Sequence, residues 1–174
     1  MGSRYYHFNL VAMNDLENLL ERFRRGPEVM AAVLTGAAGS EVDFQPQPGQ
    51  WSIRQIVAHV SDSEIAAAFR FRRMIAEDNP TLEAFDQDAF TARLDYARRK
   101  PSQSLETFRR IRQENYELLR GVSPEVFERT GNHTERGRIT LLDFLKGMAD
   151  HPESHAKQIQ RVREEFKARK SAQG

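Results

Sequence analysis

The 174-residue sequence predicts an all-α fold, a four-helix bundle with one long crossover between the second and third helices. Three observations carry that prediction. Apolar residues recur at three- and four-residue spacing through four long stretches, the period of helices with one buried face. Glycine and proline punctuate the chain between these stretches. Residues 81–100 divide the second stretch from the third without a period of their own, and read as a long connection.

Leu10, Met13, Leu16, Leu19, Leu20 and Phe23 mark the first helix. Gly26-Pro27 interrupts it, because proline cannot continue the hydrogen-bond ladder. A short second piece covers Met30 to Leu34, followed by a glycine- and proline-bearing loop over residues 37–49. The second long helix opens at Ser52-Ile53-Arg54-Gln55, a capping box in which serine and glutamine satisfy each other's free amides. Its stripe is Ile53, Ile56, Val57, Val60, Ala67, Phe71, Met74 and Ile75, and Asn79-Pro80 lies just past its end. In the crossover, Leu82, Phe85, Phe90, Leu94 and Tyr96 are expected to pack on the core. The third helix, Ser102 to Gly121, turns Leu105, Phe108, Ile111, Leu118 and Leu119 inward. Ser123-Pro124-Glu125 opens a helical turn with serine as its cap, and residues 131–138 read as a polar loop. No stretch alternates convincingly enough to predict a strand. The last helix starts at a second capping signature, Thr140-Leu141-Leu142-Asp143, and carries the seam Leu141, Leu145, Met148, Pro152, His155, Ile159, Val162, Phe166. Its spacing alternates four and three, as in a helix packed within a bundle.

The length suits a single domain over residues 1–174, with no internal repeat. A chain of this size buries roughly 70% of its unfolded surface and folds without help from a disulfide or a metal. It has no cysteine, which excludes thiolate zinc sites, iron–sulfur clusters and a cysteine nucleophile, and is at home in a reducing cytoplasm. Twenty-six Lys and Arg against 25 Asp and Glu leave a net charge of +1, which argues against electrostatic binding of nucleic acid. No apolar run approaches the roughly 20 residues of a membrane span, and the N-terminal residues lack the pattern of a secretory leader. The basic C-terminal stretch 161–170 reads as a solvated helix face.

The chemistry lies in histidines. His155 occupies a seam position that its neighbours fill with Met, Ile and Val, and His151 stands one turn earlier on the same side. Such a pair can chelate one metal, although a hydrogen-bonded core histidine is the commoner explanation of either alone. His59 falls at the edge of the second helix's stripe and reaches toward the bundle interior. Three imidazoles from two helices would leave open coordination positions, the arrangement of a catalytic site. Glu64, four residues after Val60, is a candidate general base or a partner orienting a ligand imidazole; its alternative is an ion pair with a buried arginine. Asp62 lies opposite the stripe, at a surface position. His133 reads as an exposed loop residue, and His7 enters no constellation. Trp51 reads as a hydrophobic staple to Ile56. Arg70, Arg72 and Arg73 supply surface charge or a dimer contact. No nucleophile elbow, phosphate loop, dinucleotide fingerprint or paired Glu-x-x-His motif is present.

Two segments carry a family likeness: Pro48-Gly49-Gln50-Trp51-Ser52-Ile53-Arg54-Gln55-Ile56-Val57-Ala58-His59 with Asp62 and Glu64, and Ala149-Asp150-His151-Pro152-Glu153-Ser154-His155-Ala156-Lys157-Gln158-Ile159. With Gly137-Arg138-Ile139-Thr140-Leu141 between them, the chain resembles the DinB-like superfamily, in its YfiT-like branch of metal-dependent hydrolases. The resemblance implies a bundle with one long crossover and one divalent metal held by three histidines, at positions matching His59, His151 and His155. All-imidazole ligation suits zinc or nickel first, with iron, copper or manganese as alternatives. It implies hydrolysis by metal-activated water or transfer of a low-molecular-weight thiol, on a small-molecule substrate; a non-catalytic metal-binding stress-response module is the rival from another class. A homodimer is expected by the same likeness and by base rate. One residue departs from helix rules. Pro152 directly follows His151, where a proline costs about 3 kcal/mol unless compensated. A tolerated kink that aims His151 at the metal is expected, rather than a break that swings it away.

Overall fold

Both capping boxes form, and they start the two helices that carry the histidines. The computed structural model describes the backbone of residues 3–172 and the side chains of residues 14–172, so expectations for the side chains of His7, Leu10 and Met13 lie outside the described residues. The chain runs α1 (Ser3–Arg24), α2 (Gly26–Leu34), a single turn α3 (Ser40–Asp43) within the expected loop, and α4 (Ile53–Ala76). The crossover holds β1 (Thr81–Leu82), α5 (Gln87–Arg93) and a 3₁₀ turn at Tyr96–Arg98. After it come α6 (Pro101–Arg120), a 3₁₀ turn at Pro124–Glu128, β2 (Thr130–His133), β3 (Gly137–Thr140) and α7 (Leu141–Ser171). The long helices α1, α4, α6 and α7 form the four-helix bundle. At the head of α4, the Gln55 side chain accepts from the Ser52 amide at 2.9 Å while Ser52 Oγ accepts from the Gln55 amide. Thr140 and Asp143 repeat the exchange at the head of α7. At the 3₁₀ turn the Ser123 side chain makes no such bond, contrary to expectation.

Strands do occur. β1 pairs parallel with β2, and β2 pairs antiparallel with β3, so residues 131–138 form a hairpin rather than a polar loop. Two to four residues with glycine and asparagine among them are too short to display a period of two. A Cβ on Gly131 would lie 2.9 Å from Leu82 Cδ1, so the close approach of β1 to β2 requires glycine there. This small sheet fastens the crossover beside the entry to α7. Further ties come from α4, where Asp62 accepts from the Tyr96 hydroxyl at 2.9 Å and from Arg99 at 2.6 Å. Asp62 is thus a crossover anchor and not a free surface carboxylate, because two donors of the crossover fold over it. Arg73 and Arg70 likewise donate to the carbonyls of Thr81 and Glu83. Leu94 departs the other way: it is 49% exposed, lifted off the core where Asp95 takes a left-handed conformation. At the C-terminal end the basic face is partly a latch, since Arg163 binds Glu41 at 2.8 Å and Arg169 lies over the Phe44 ring.

The core divides into two apolar clusters. One gathers Phe23, Phe71, Met74, Leu119, Phe144 and Leu145. The other gathers Met30, Ile53, Ile56, Val60, Phe108 and Ile159. On α4, Val60 belongs to one cluster and Ala67 to the other, and the buried residues between them are polar: Ser61, Ser63 and the charged Glu64. The matching level of α6 presents Arg112 and Asn115, which are buried, whereas Leu105, Ile111 and Leu118 are only half-buried. None of the described helices is long and apolar enough to cross a membrane.

Candidate metal centre

The two helices deliver the histidines through their apolar neighbours. On α4, Ile56, Val57 and Val60 are buried, and this fixes the helix rotation that turns His59 inward to 2% exposure. On α7, Ala149, Pro152 and Ala156 are buried, so the half-buried His151 and His155 flank the contact stripe. α7 runs through Pro152 without interruption, and His151 stays with the other two.

The structure brings His59, His151 and His155 together, with one ring nitrogen from each lying within 4.8 Å of the others. The Nε2 atom of His151 stands 3.2 Å from that of His59 and 3.1 Å from that of His155. Imidazole nitrogens bound tetrahedrally at about 2.0–2.1 Å from one ion stand about 3.3 Å apart, so the spacing fits a shared ion. Gln158 Oε1 lies 2.8 Å from His155 Nδ1 and can accept its proton, which leaves the Nε2 lone pair facing the other rings. His59 Nδ1 is buried without a partner. A set of neutral rings pointed at one another leaves lone pairs opposed, and a cation would satisfy them. Burial holds all three neutral: the pKa of His59 is depressed to about 3, that of His151 to about 2, and that of His155 falls in the same direction. Neighbouring imidazoles push the first two further down.

Glu64 is not brought into this group. Its two oxygens accept from Arg112 at 2.7 Å and Asn115 at 2.8 Å, the arginine pairing that stood as its alternative. His133 is buried in β2 rather than exposed on a loop, and its Nδ1 faces the Glu135 amide. The Trp51 ring packs on His59 at 4.8 Å between centroids. It also lines a cleft of about 480 Å³ beside His155, together with Gln50, Asp88, Gln158, Arg161 and Glu165. A larger cleft, about 730 Å³ around Leu19, Arg22 and Asp150, touches none of the three histidines. Gln158 had a legible signal, since a polar residue three positions after a helical histidine stands beside it. Arg112 and Asn115 showed themselves only as a polar gap in the apolar stripe of α6.

A family profile described as the DinB superfamily matches residues 22–159. A protein of Oceanobacillus iheyensis is 27% identical over 148 residues, covering 84% of this chain and 81% of its own. YfiT of Bacillus subtilis is 26% identical over 133 residues, covering 76% and 71%. Both are named as metal-dependent hydrolases, and both names mark that assignment as unproven. The solved structure of YfiT, described as having an unusual four-helix bundle topology, superposes with a TM-score of 0.81 at 23% identity over 86% of each chain. TT2238, described as a four-helix bundle protein, gives 0.58 at 19% identity over 83% of this chain and 98% of its own. These two likenesses speak for the fold.

Proposed function

The chain belongs to the DinB superfamily, and from that membership we propose that it is a metal-dependent hydrolase of a small polar substrate, with one divalent ion held by His59, His151 and His155. The observation that carries this reading is the convergence of three neutral Nε2 atoms beside an open cleft. Three protein ligands leave room for water and substrate, whereas a structural site would close its fourth position with protein. Such an ion acidifies water toward a pKa of about 7 and polarises a substrate carbonyl or phosphoryl oxygen.

The chain's own residues supply the rest. Trp51 shields one flank of His59 from solvent, and Gln158 fixes the tautomer and ring direction of His155. Arg161, Asp88 and Glu165 at the cleft offer both charge signs to a substrate, with Gln50 as a neutral hydrogen-bonding partner. Glu64, with both oxygens engaged, acts as a support for the bundle interior and not as the base. The cysteine-free chain suits the cytoplasm, and were a thiol involved it would arrive as substrate.

Elemental analysis of protein carrying no affinity histidines, beside a His155→Ala variant, tests the reading. About one equivalent of transition metal in the parent, lost in the variant, is expected. No metal in either protein after incubation with zinc or nickel overturns it. With metal established, ester, amide and phosphoester hydrolysis compared with thiol transfer decides the reaction.

A further inference from the structure

Two carbonyls in this chain, that of Phe23 in the last turn of α1 and that of Met148 inside α7, lack an amide donor from their own helix. Pro27 cannot supply the amide that would bond the Phe23 carbonyl, and Pro152 cannot supply the one for Met148. Far apart in sequence, the two breaks meet in the fold. A Cβ on Gly26 would stand 2.9 Å from Pro152 Cγ and 2.8 Å from Arg112 Nη1, so only glycine admits this contact. Between the breaks lies one guanidinium. Arg112 Nη1 donates to the Phe23 carbonyl at 2.6 Å, and Nη2 donates to the Met148 carbonyl at 3.1 Å. Nη2 also binds Glu64 at 2.7 Å. The Phe23 and Phe108 rings hold the guanidinium at 3.9 and 4.8 Å. Arg112 is 1% exposed, so these bonds are made away from bulk solvent.

We propose that Arg112 is the positioning residue of the histidine centre: it replaces both missing amides, fixes the proline turn of α7, and thereby sets the direction of His151, the residue immediately before Pro152. The metal part of this inference rests on the proposed function; the junction itself does not. Arginine suits the task because its planar fork can donate to several acceptors at once in fixed directions. A lysine ammonium retains the charge opposite Glu64 but has no rigid fork to span two carbonyls and a carboxylate.

The test compares Arg112→Lys, Pro152→Ala and the double variant, each first shown to be folded by circular dichroism. Zinc affinity is measured by competition, and ligand geometry by the visible spectrum of the cobalt(II) form. Arg112→Lys is expected to weaken zinc binding at least tenfold and to alter the cobalt spectrum. The double variant is expected to regain most of both, because alanine at 152 restores the donor to the Met148 carbonyl. Parent-like affinity and spectrum in Arg112→Lys overturn the proposal, as does a defect that Pro152→Ala leaves unrelieved. Should Arg112→Lys not fold, Gly26→Ala displaces the guanidinium with its charge intact and is held to the same criteria, its defect smaller. A parent protein that binds no metal refutes the proposed function, and the junction is then judged on the metal-free form. There the ring nitrogen resonances of His151 must shift in Arg112→Lys and return in the double variant; unmoved resonances overturn the inference.

Discussion

Burial depresses the pKa of His59 to about 3 and that of His151 to about 2, against 6.5 for an ordinary imidazole. The unfolded chain therefore takes up protons below pH 6.5 that the folded rings refuse. Stability of the metal-free protein falls as pH drops from 6.5 toward 3, on the order of 1 kcal/mol per pH unit for each of these two histidines. Urea melts at stepped pH values measure that slope, and a flat profile across the window contradicts the burial of these rings. Glu64→Ala leaves Arg112 charged and buried without its carboxylate, at an expected cost of about 3–5 kcal/mol, read as a lowered thermal midpoint. At this scale His155 was legible, because a polar ring at a seam position breaks an otherwise apolar pattern, whereas the set of three came with the family likeness. Glu64 was legible as an anomaly but not in its role. Its partners Arg112 and Asn115 sit on another helix, and spacing within one helix says nothing about what faces it.

Among the elements, α4 and α7 were the most legible, each announced by a capping box and a long stripe. Thr140→Ala removes the cap of α7 and is expected to cost about 1 kcal/mol, visible in the midpoint of a urea melt. The three strands were not legible. Their pairing is tertiary, and β1 is held as much by the room at Gly131 as by its own residues. Gly131→Ala drives a methyl against Leu82 and the Pro80 carbonyl, at an expected cost of about 1–3 kcal/mol. Amide exchange at residues 81–84 and 130–134 reads this locally, and should quicken there more than in α4. The fourth helix shows why a proline rule is local. Pro152 forbids one hydrogen bond of its own helix, but another element can supply the missing donor, and α6 does so.

For the whole molecule, the layer of Glu64, Arg112 and Asn115 between two apolar clusters means that no single oily core runs the length of the bundle. Sequence periodicity finds both clusters and passes over the seam between them, because the seam is written in residues that period analysis scores as surface. The three histidines also divide unevenly along the chain: His59 precedes the crossover, and His151 comes 92 residues after His59, beyond it. A single cut at the exposed Leu94 would part the protein into one piece bearing His59 and another bearing His151 and His155. The ion would then become the mortar between them. Metal concentration would govern how far the halves recombine, turning the histidine cluster into a chemically addressable joint.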